Sequence, residues 1–206
     1  MARLTRLMAI ISLIMMMGIG ISQAQSNPLL IVMDGHIYSW SGYAGRAVSP
    51  YSACNHSERI VSGLARSARG TLAFLTEPVE VSDVIQQFGG AGGALPNNVR
   101  ICDGNSITGV ATQPDDFSYF TNEPNIAVAH SAPTWSPNGM QLAWTTVDFQ
   151  SGVLTIDTYD LTTRETIQTP LDLPPFTGEI LPPYITWKDS GIFLFHATTD
   201  PETFGF

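Results

Sequence analysis

Charged side chains are scarce in this sequence. Only 13% of the 206 residues are Asp, Glu, Lys or Arg, and only nine residues are Lys or Arg. A surface that binds nucleic acid needs a cluster of such cations to neutralise phosphates, so we expect no nucleic-acid partner. The net charge of −9, with 18 Gly and 14 Pro, is instead typical of an exported all-β domain.

The sequence also lacks the common catalytic and metal-binding motifs. No G-x-S-x-G segment marks a serine nucleophile. The four histidines are scattered singly, without a second ligand at metal-binding spacing: His36, His56, His130 and His196. The one adjacent acidic pair, Asp115-Asp116, is predicted to lie in a turn. We therefore assign no catalytic residue, metal ligand or cofactor, although spacing in sequence does not show whether distant carboxylates share a cleft.

No apolar run is long enough to span a bilayer as a helix. The longest, Leu7 to Ile21, has 15 residues, whereas a transmembrane helix needs about 20. Arg3 and Arg6 precede this run and the small residues of Ser22-Gln23-Ala24 follow it, which is the pattern of a cleavable secretory signal. We predict a signal peptide at residues 1–24 and a secreted or periplasmic domain at residues 25–206, with no stable membrane anchor after cleavage.

Cysteine is nearly absent, since Cys54 and Cys102 are the only two. Export would place both thiols in an oxidising compartment, which favours a disulfide between them. Two buried free thiols remain the alternative, because spacing alone does not show that two cysteines are close.

What the chain does contain is a repeated pattern of a short strand, a four-residue turn and an apolar strand that ends on an aromatic residue. Four segments fit this pattern: Arg66 to Phe74, Thr112 to Phe120, Trp135 to Trp144 and Trp187 to Phe195. In the clearest copy, the turn is Ser136-Pro137-Asn138-Gly139, where Pro presets φ and Asn and Gly accept the positive φ of a hairpin. Such self-similarity predicts an all-β repeat architecture built of blade-like sheets.

The strands predicted around these turns divide the chain into units of blade size. Residues 131–170 are the clearest four-stranded blade, and a second blade is predicted to start near Ile60. Leu29 to Trp40 is predicted to be a hairpin around Asp34-Gly35. We therefore predict a β-propeller-like array of about four four-stranded blades, incomplete or open.

The segment Trp135-Ser136-Pro137-Asn138-Gly139, with Leu142-Ala143-Trp144 after it, resembles the TolB-type, WD40-like β-propeller repeats. Their blades typically open with a tryptophan, Ser-Pro-Asp-Gly and a short apolar strand. The resemblance implies a propeller fold and supplies no catalytic residue. Family members commonly have about six or more blades, whereas residues 25–206 are long enough for about four. We expect a truncated copy or an open arc; the alternative is that the strands of Leu29 to Trp40 complete the final blade and close a small ring.

The expected function is that of an exported, non-catalytic binding or scaffold module for a protein, peptide or glycan, which binds through the blade loops. A propeller glycosidase, or the propeller part of a secreted peptidase that lacks its catalytic domain, is the enzymatic alternative. A remnant without activity of its own is the third. Three of the four tryptophans are expected to pack between blades, which leaves Trp40 and Tyr43 as candidate ligand-facing aromatics.

Overall fold

The computed structural model describes residues 28–40, 48–79, 81, 95–119, 126–172, 183–189 and 191–195. These residues include fourteen β-strands and one turn of 3₁₀ helix (Ser52–Cys54), and Val79 and Val81 are helical. The predominance of strands confirms the predicted all-β class. The predicted signal peptide and Tyr43 lie outside the described residues. Within the described ranges, no helix has the length and apolar character that a membrane crossing requires.

The first sheet confirms the predicted hairpin around Asp34-Gly35. It contains three antiparallel strands in the spatial order β1-β2-β3: β1 (Leu29–Met33), β2 (His36–Trp40) and β3 (Ser49–Pro50). Met33 pairs with His36 across the turn, where Asp34 has a φ of 49° and Gly35 a φ of 78°. Two successive positive φ values give the turn a twist that matches the flanking strands.

The second sheet is a four-stranded antiparallel meander that begins at Arg59, close to the predicted start. Its strands are β4 (Arg59–Arg66), β5 (Leu72–Glu77), β6 (Asn98–Cys102) and β7 (Ile107–Ala111), in that spatial order. Every residue of β5 is buried, as expected for a strand covered on both faces.

The third sheet contains the clearest predicted blade. Its strands are β8 (Val128–His130), β9 (Thr134–Trp135), β10 (Gln141–Asp148), β11 (Leu154–Asp160) and β12 (Thr166–Pro170). The spatial order is β12-β11-β10-β8, and β9 also pairs with β10. The sheet therefore begins three residues before the predicted boundary at residue 131, because β8 is too short to give a recognisable alternation.

The fourth sheet has two described strands, β13 (Tyr184–Lys188) and β14 (Gly191–Phe195), which confirm the hairpin predicted there. The hairpin predicted for Thr112 to Phe120 is wrong: among its described residues only an isolated bridge forms, between Ser118 and Ile126. The other three copies have a positive-φ glycine in the turn, whereas this copy has Asp115-Asp116 at the corresponding position. Without that glycine, the chain does not close the tight hairpin.

The four sheets follow one another in chain order, and each sheet contacts the next. Strand β1 contacts β4, β4 contacts β9, and β9 contacts β13. At the contact between the second and third sheets, Gly63 has a φ of 71°, and a Cβ there would lie 2.9 Å from Cδ of Pro133. Glycine at position 63 therefore lets the backbones of these two sheets approach closely. None of the sheets closes on itself among the described residues.

The core lies in two clusters between successive sheets. The cluster between the second and third sheets includes Trp135 and Trp144, so core packing of these two tryptophans is confirmed, while Trp187 is partly buried. The cluster between the first and second sheets contains Cys54 and Cys102, which form a disulfide with Cα atoms 5.7 Å apart. The predicted disulfide is thus confirmed, and the free-thiol alternative is wrong.

Candidate functional site

A cleft of about 320 Å³ opens where the first sheet meets the second. It lies between the β1–β2 turn, the residues that lead into β4, and the end of β5. Three of its lining residues are carboxylates, Asp34, Glu58 and Glu77. The other lining residues are Gly35, His36, Ser57, Arg59 and Val79.

The cleft depends on how the β1–β2 turn is docked. The Gly35 carbonyl accepts a hydrogen bond from the Ile60 N–H at 3.1 Å, which fixes the turn against the start of β4. A Cβ on Gly35 would lie 2.6 Å from Cγ of Arg59, so a larger residue at position 35 would displace Arg59. The local turn chemistry and this close approach together place Asp34 and Arg59 at the mouth of the cleft.

Glu58 is held by several donors from the second sheet. Arg100 donates to its Oε2 from Nε at 2.9 Å and from Nη2 at 2.7 Å, and the Thr76 hydroxyl donates at 2.6 Å. Burial by itself raises the pKa of Glu58, but the hydrogen bonds from Thr76 and Arg100 and the Arg100 charge outweigh it and lower the pKa. Glu58 is therefore an ionised carboxylate whose charge Arg100 balances, and it is unsuited to donate a proton.

His56 lies beside Glu58 but does not form an ion pair with it. Its Nδ1 accepts the Glu58 backbone N–H at 3.0 Å, so this nitrogen carries no proton. Burial lowers the pKa of His56, and the Arg100 charge lowers it further against the opposing effect of Glu58. His56 Nδ1 lies 3.8 Å from Glu58 Oε2, but the contact is between a neutral ring and a carboxylate and is not an ion pair.

Glu77 has a different environment from Glu58. Its side chain is only 4% exposed, and its Oε2 lies 3.9 Å from Nη1 of Arg59, whose own side chain is 60% exposed. The other oxygen, Oε1, is buried and has no hydrogen-bond partner among the described residues. Leaving a buried acceptor unsatisfied costs about 1–3 kcal/mol, and more for a charged group. Glu77 thus keeps a binding capacity that the fold itself does not use.

A second polar cluster lies between β6 and β8 and serves the fold. Asn97 Nδ2 donates to the His130 carbonyl at 3.1 Å, and Asn97 Oδ1 accepts the His130 N–H at 2.9 Å. The His130 ring Nδ1 lies 2.8 Å from the Asn97 carbonyl oxygen, so we assign the proton to Nδ1. Burial lowers the pKa of His130 to about 4, against the Asn97 hydrogen bond and the Asp157 charge. His130 is 3% exposed, which makes it a neutral structural residue.

The structure does not bring the predicted aromatic site to the cleft. Trp40 is 37% exposed and ends β2, whereas the cleft lies at the opposite end of that strand, about 13 Å away at 3.3 Å per residue. Tyr43, its predicted companion, is outside the described residues. The ligand role of Trp40 and Tyr43 stays a prediction.

Sequence reasoning missed the three carboxylates of the cleft. Asp34 was interpreted only as a turn residue, and Glu58 and Glu77 are 19 positions apart, so nothing local connects them. The one available signal is that Glu77 ends the segment LAFLTE, whose first four residues are apolar. Among the described residues, no group of three His, Cys, Asp or Glu side chains is arranged to hold a metal ion.

Comparisons of the chain with protein-family models, with curated proteins and with solved structures gave no significant match.

Proposed function

We propose that this chain is an exported, non-catalytic binding module that folds as an open, propeller-like arc of about four blades, similar to the TolB-type repeats. The observation that carries the proposal is the succession of four antiparallel sheets in chain order, each in contact with the next. The Cys54–Cys102 disulfide supports an oxidising compartment.

The ligand, a protein, peptide or glycan, is proposed to bind in the cleft between the first and second sheets. Binding sites are usually concave, with a few polar groups converging from a rigid scaffold. Here Glu77 comes from the end of a fully buried strand, and Asp34 from a turn fixed by a backbone hydrogen bond to Ile60. The fold therefore fixes the backbone that carries each of these two side chains.

Binding can be tested with the protein secreted from its full-length sequence and screened on peptide and glycan arrays. We expect micromolar binding to one class, weakened at least tenfold by Glu77→Gln. Glu165→Gln, an exposed site in the β11–β12 turn, removes the same charge away from the cleft and should bind as the wild type. Retention of full affinity by Glu77→Gln would place the ligand site elsewhere.

A glycosidase is the second candidate, because three carboxylates line one cleft. Glycoside hydrolysis needs one carboxyl group that keeps a proton and a second that is ionised. Glu58 can fill only the ionised role, which leaves Glu77 or Asp34 as the acid. Hydrolysis of aryl glycosides by the wild type, lost in Glu77→Gln and kept in Glu165→Gln, would support this candidate. Absence of turnover across α- and β-linked substrates would reject it.

A further inference from the structure

Glu77 is the most unusual polar group in the described part of the chain. It ends β5, all of whose residues are buried, and its Oε1 has no hydrogen-bond partner among the described residues. A buried carboxylate normally has its oxygens satisfied, because dehydrating an unpaired charge is costly. Arg59 reaches only Oε2, at 3.9 Å, and remains 60% exposed. Glu77 is also one of the residues that line the cleft, next to this buried acceptor.

The charges around the cleft favour a cation. Three lining carboxylates, Asp34, Glu58 and Glu77, face one lining cation, Arg59. Arg100 already balances Glu58 through two hydrogen bonds, so the remaining charges leave the cleft acidic. The whole chain has a net charge of −9, which adds to the attraction of cations.

The number and arrangement of the carboxylates favour an organic cation over a metal ion. Ca²⁺ binds roughly six to eight oxygen ligands. The described residues contain no group of three His, Cys, Asp or Glu side chains that could hold a metal ion. An ammonium offers three N–H donors and a guanidinium five, which suits separate carboxylates such as Asp34 and Glu77. Val79, 54% exposed in the same lining, offers an apolar surface for a methylene stem.

We propose that this cleft recognises a cationic nitrogen group, an ammonium or guanidinium on an aliphatic stem, with Glu77 as the anchoring carboxylate. The proposal rests on the function proposed for the chain, and it specifies the chemistry of the ligand. A lysine or arginine side chain of a peptide and a free polyamine share this chemistry.

Calorimetry with defined probes tests the inference. The probes are a blocked pentapeptide with one central lysine, the same peptide with acetyl-lysine, the arginine and citrulline pair, and spermidine. We expect the lysine or arginine peptide, or spermidine, to bind at least tenfold more tightly than the neutral peptides. If the protein binds the cationic peptides but not spermidine, the ligand is a peptide. If it binds spermidine alone, the ligand is a polyamine.

The variants Glu77→Gln and Glu165→Gln complete the test. Glu77→Gln should lose at least tenfold in affinity for the cationic probe while retaining or raising the unfolding temperature, because it removes a poorly paired buried charge. Glu165→Gln should match the wild type. Equal binding of charged and neutral probes, or no effect of Glu77→Gln, would overturn the inference. An uncharged glycan or peptide as the array ligand would also overturn it while leaving the binding-module proposal intact.

Discussion

The side-chain amide of Gln113 pairs with the backbone of Val128 as a neighbouring strand would. Its Nε2 donates to the Val128 carbonyl at 2.9 Å, and its Oε1 accepts the Val128 N–H at 3.0 Å. Asn97 pairs in the same way with His130, two residues along β8. Alternate residues of a strand point their backbone N–H and C=O groups to the same side. The side-chain amides of Gln113 and Asn97 therefore supply the hydrogen-bond partners for the edge of β8 that faces away from β10. Hydrogen bonds as well as apolar contacts therefore join the second and third sheets.

Removing one of these amides should destabilise the protein. Gln113→Ala leaves both backbone groups of Val128 without their partner, and we expect the free energy of unfolding to fall by roughly 2 kcal/mol or more. Urea denaturation measures the change. Gln150→Ala, in an exposed turn, is the matched control and should change stability by less than about 0.5 kcal/mol. Equal stability of the two variants would contradict the pairing.

Mild acid should destabilise the protein through His130. Its pKa is about 4 in the folded state against 6.5 ordinarily, so between these values the unfolded chain binds a proton that the folded protein does not. Stability is therefore unaffected by this group above pH 6.5 and falls as the pH is lowered toward 4, by roughly 3 kcal/mol in total.

The His130 prediction is checked by urea unfolding at pH 7 and at pH 4.5. His130→Gln should show a smaller loss of stability between these two values than the wild type. His36→Gln is the matched control, because its side chain is exposed. An unchanged pH dependence in His130→Gln would show that another group is responsible.

Reducing the disulfide should loosen the first sheet from the second. Cys54 lies in the 3₁₀ helix that follows the first sheet and Cys102 ends β6, with a sequence separation of 48. The chain-entropy estimate for a loop of this size is about 4 kcal/mol. We expect a lower unfolding temperature in reductant, measured by circular dichroism. Without reductant, the double variant Cys54→Ala/Cys102→Ala should have the unfolding temperature of the reduced wild type, and reductant should not lower it further.

Glycine at position 63 should be essential for close packing of the second and third sheets. Gly63→Ala combines a φ of 71° with a Cβ contact of 2.9 Å to Pro133. Gly152 has a φ of 70° but nothing within 4 Å of the added Cβ, so Gly152→Ala isolates the backbone strain. We expect Gly63→Ala to be less stable than Gly152→Ala by about 1–3 kcal/mol in denaturant unfolding. Similar losses in both variants would mean that the interface adapts freely.

Turn positions were predictable because turn chemistry is local. Asp34-Gly35 and Ser136 to Gly139 carry the residues that positive φ requires, and both form hairpins. The Thr112 segment has the apolar pattern but lacks the turn glycine, and its described residues form no hairpin. In a repeat of this kind, the glycine is thus a better guide to the hairpin than the aromatic residue that follows.

The sequence by itself determined the all-β class and the positions of the best hairpins. It favoured a disulfide between Cys54 and Cys102, but only the fold showed that the two residues are close enough to pair. The tertiary structure alone decided what each carboxylate does. Glu58 and Glu77 are the same residue type at neighbouring sites, yet Arg100 binds Glu58 and no described group binds Oε1 of Glu77. Strand and turn preferences act over a few residues, whereas such partners come from distant strands that meet only when the sheets pack.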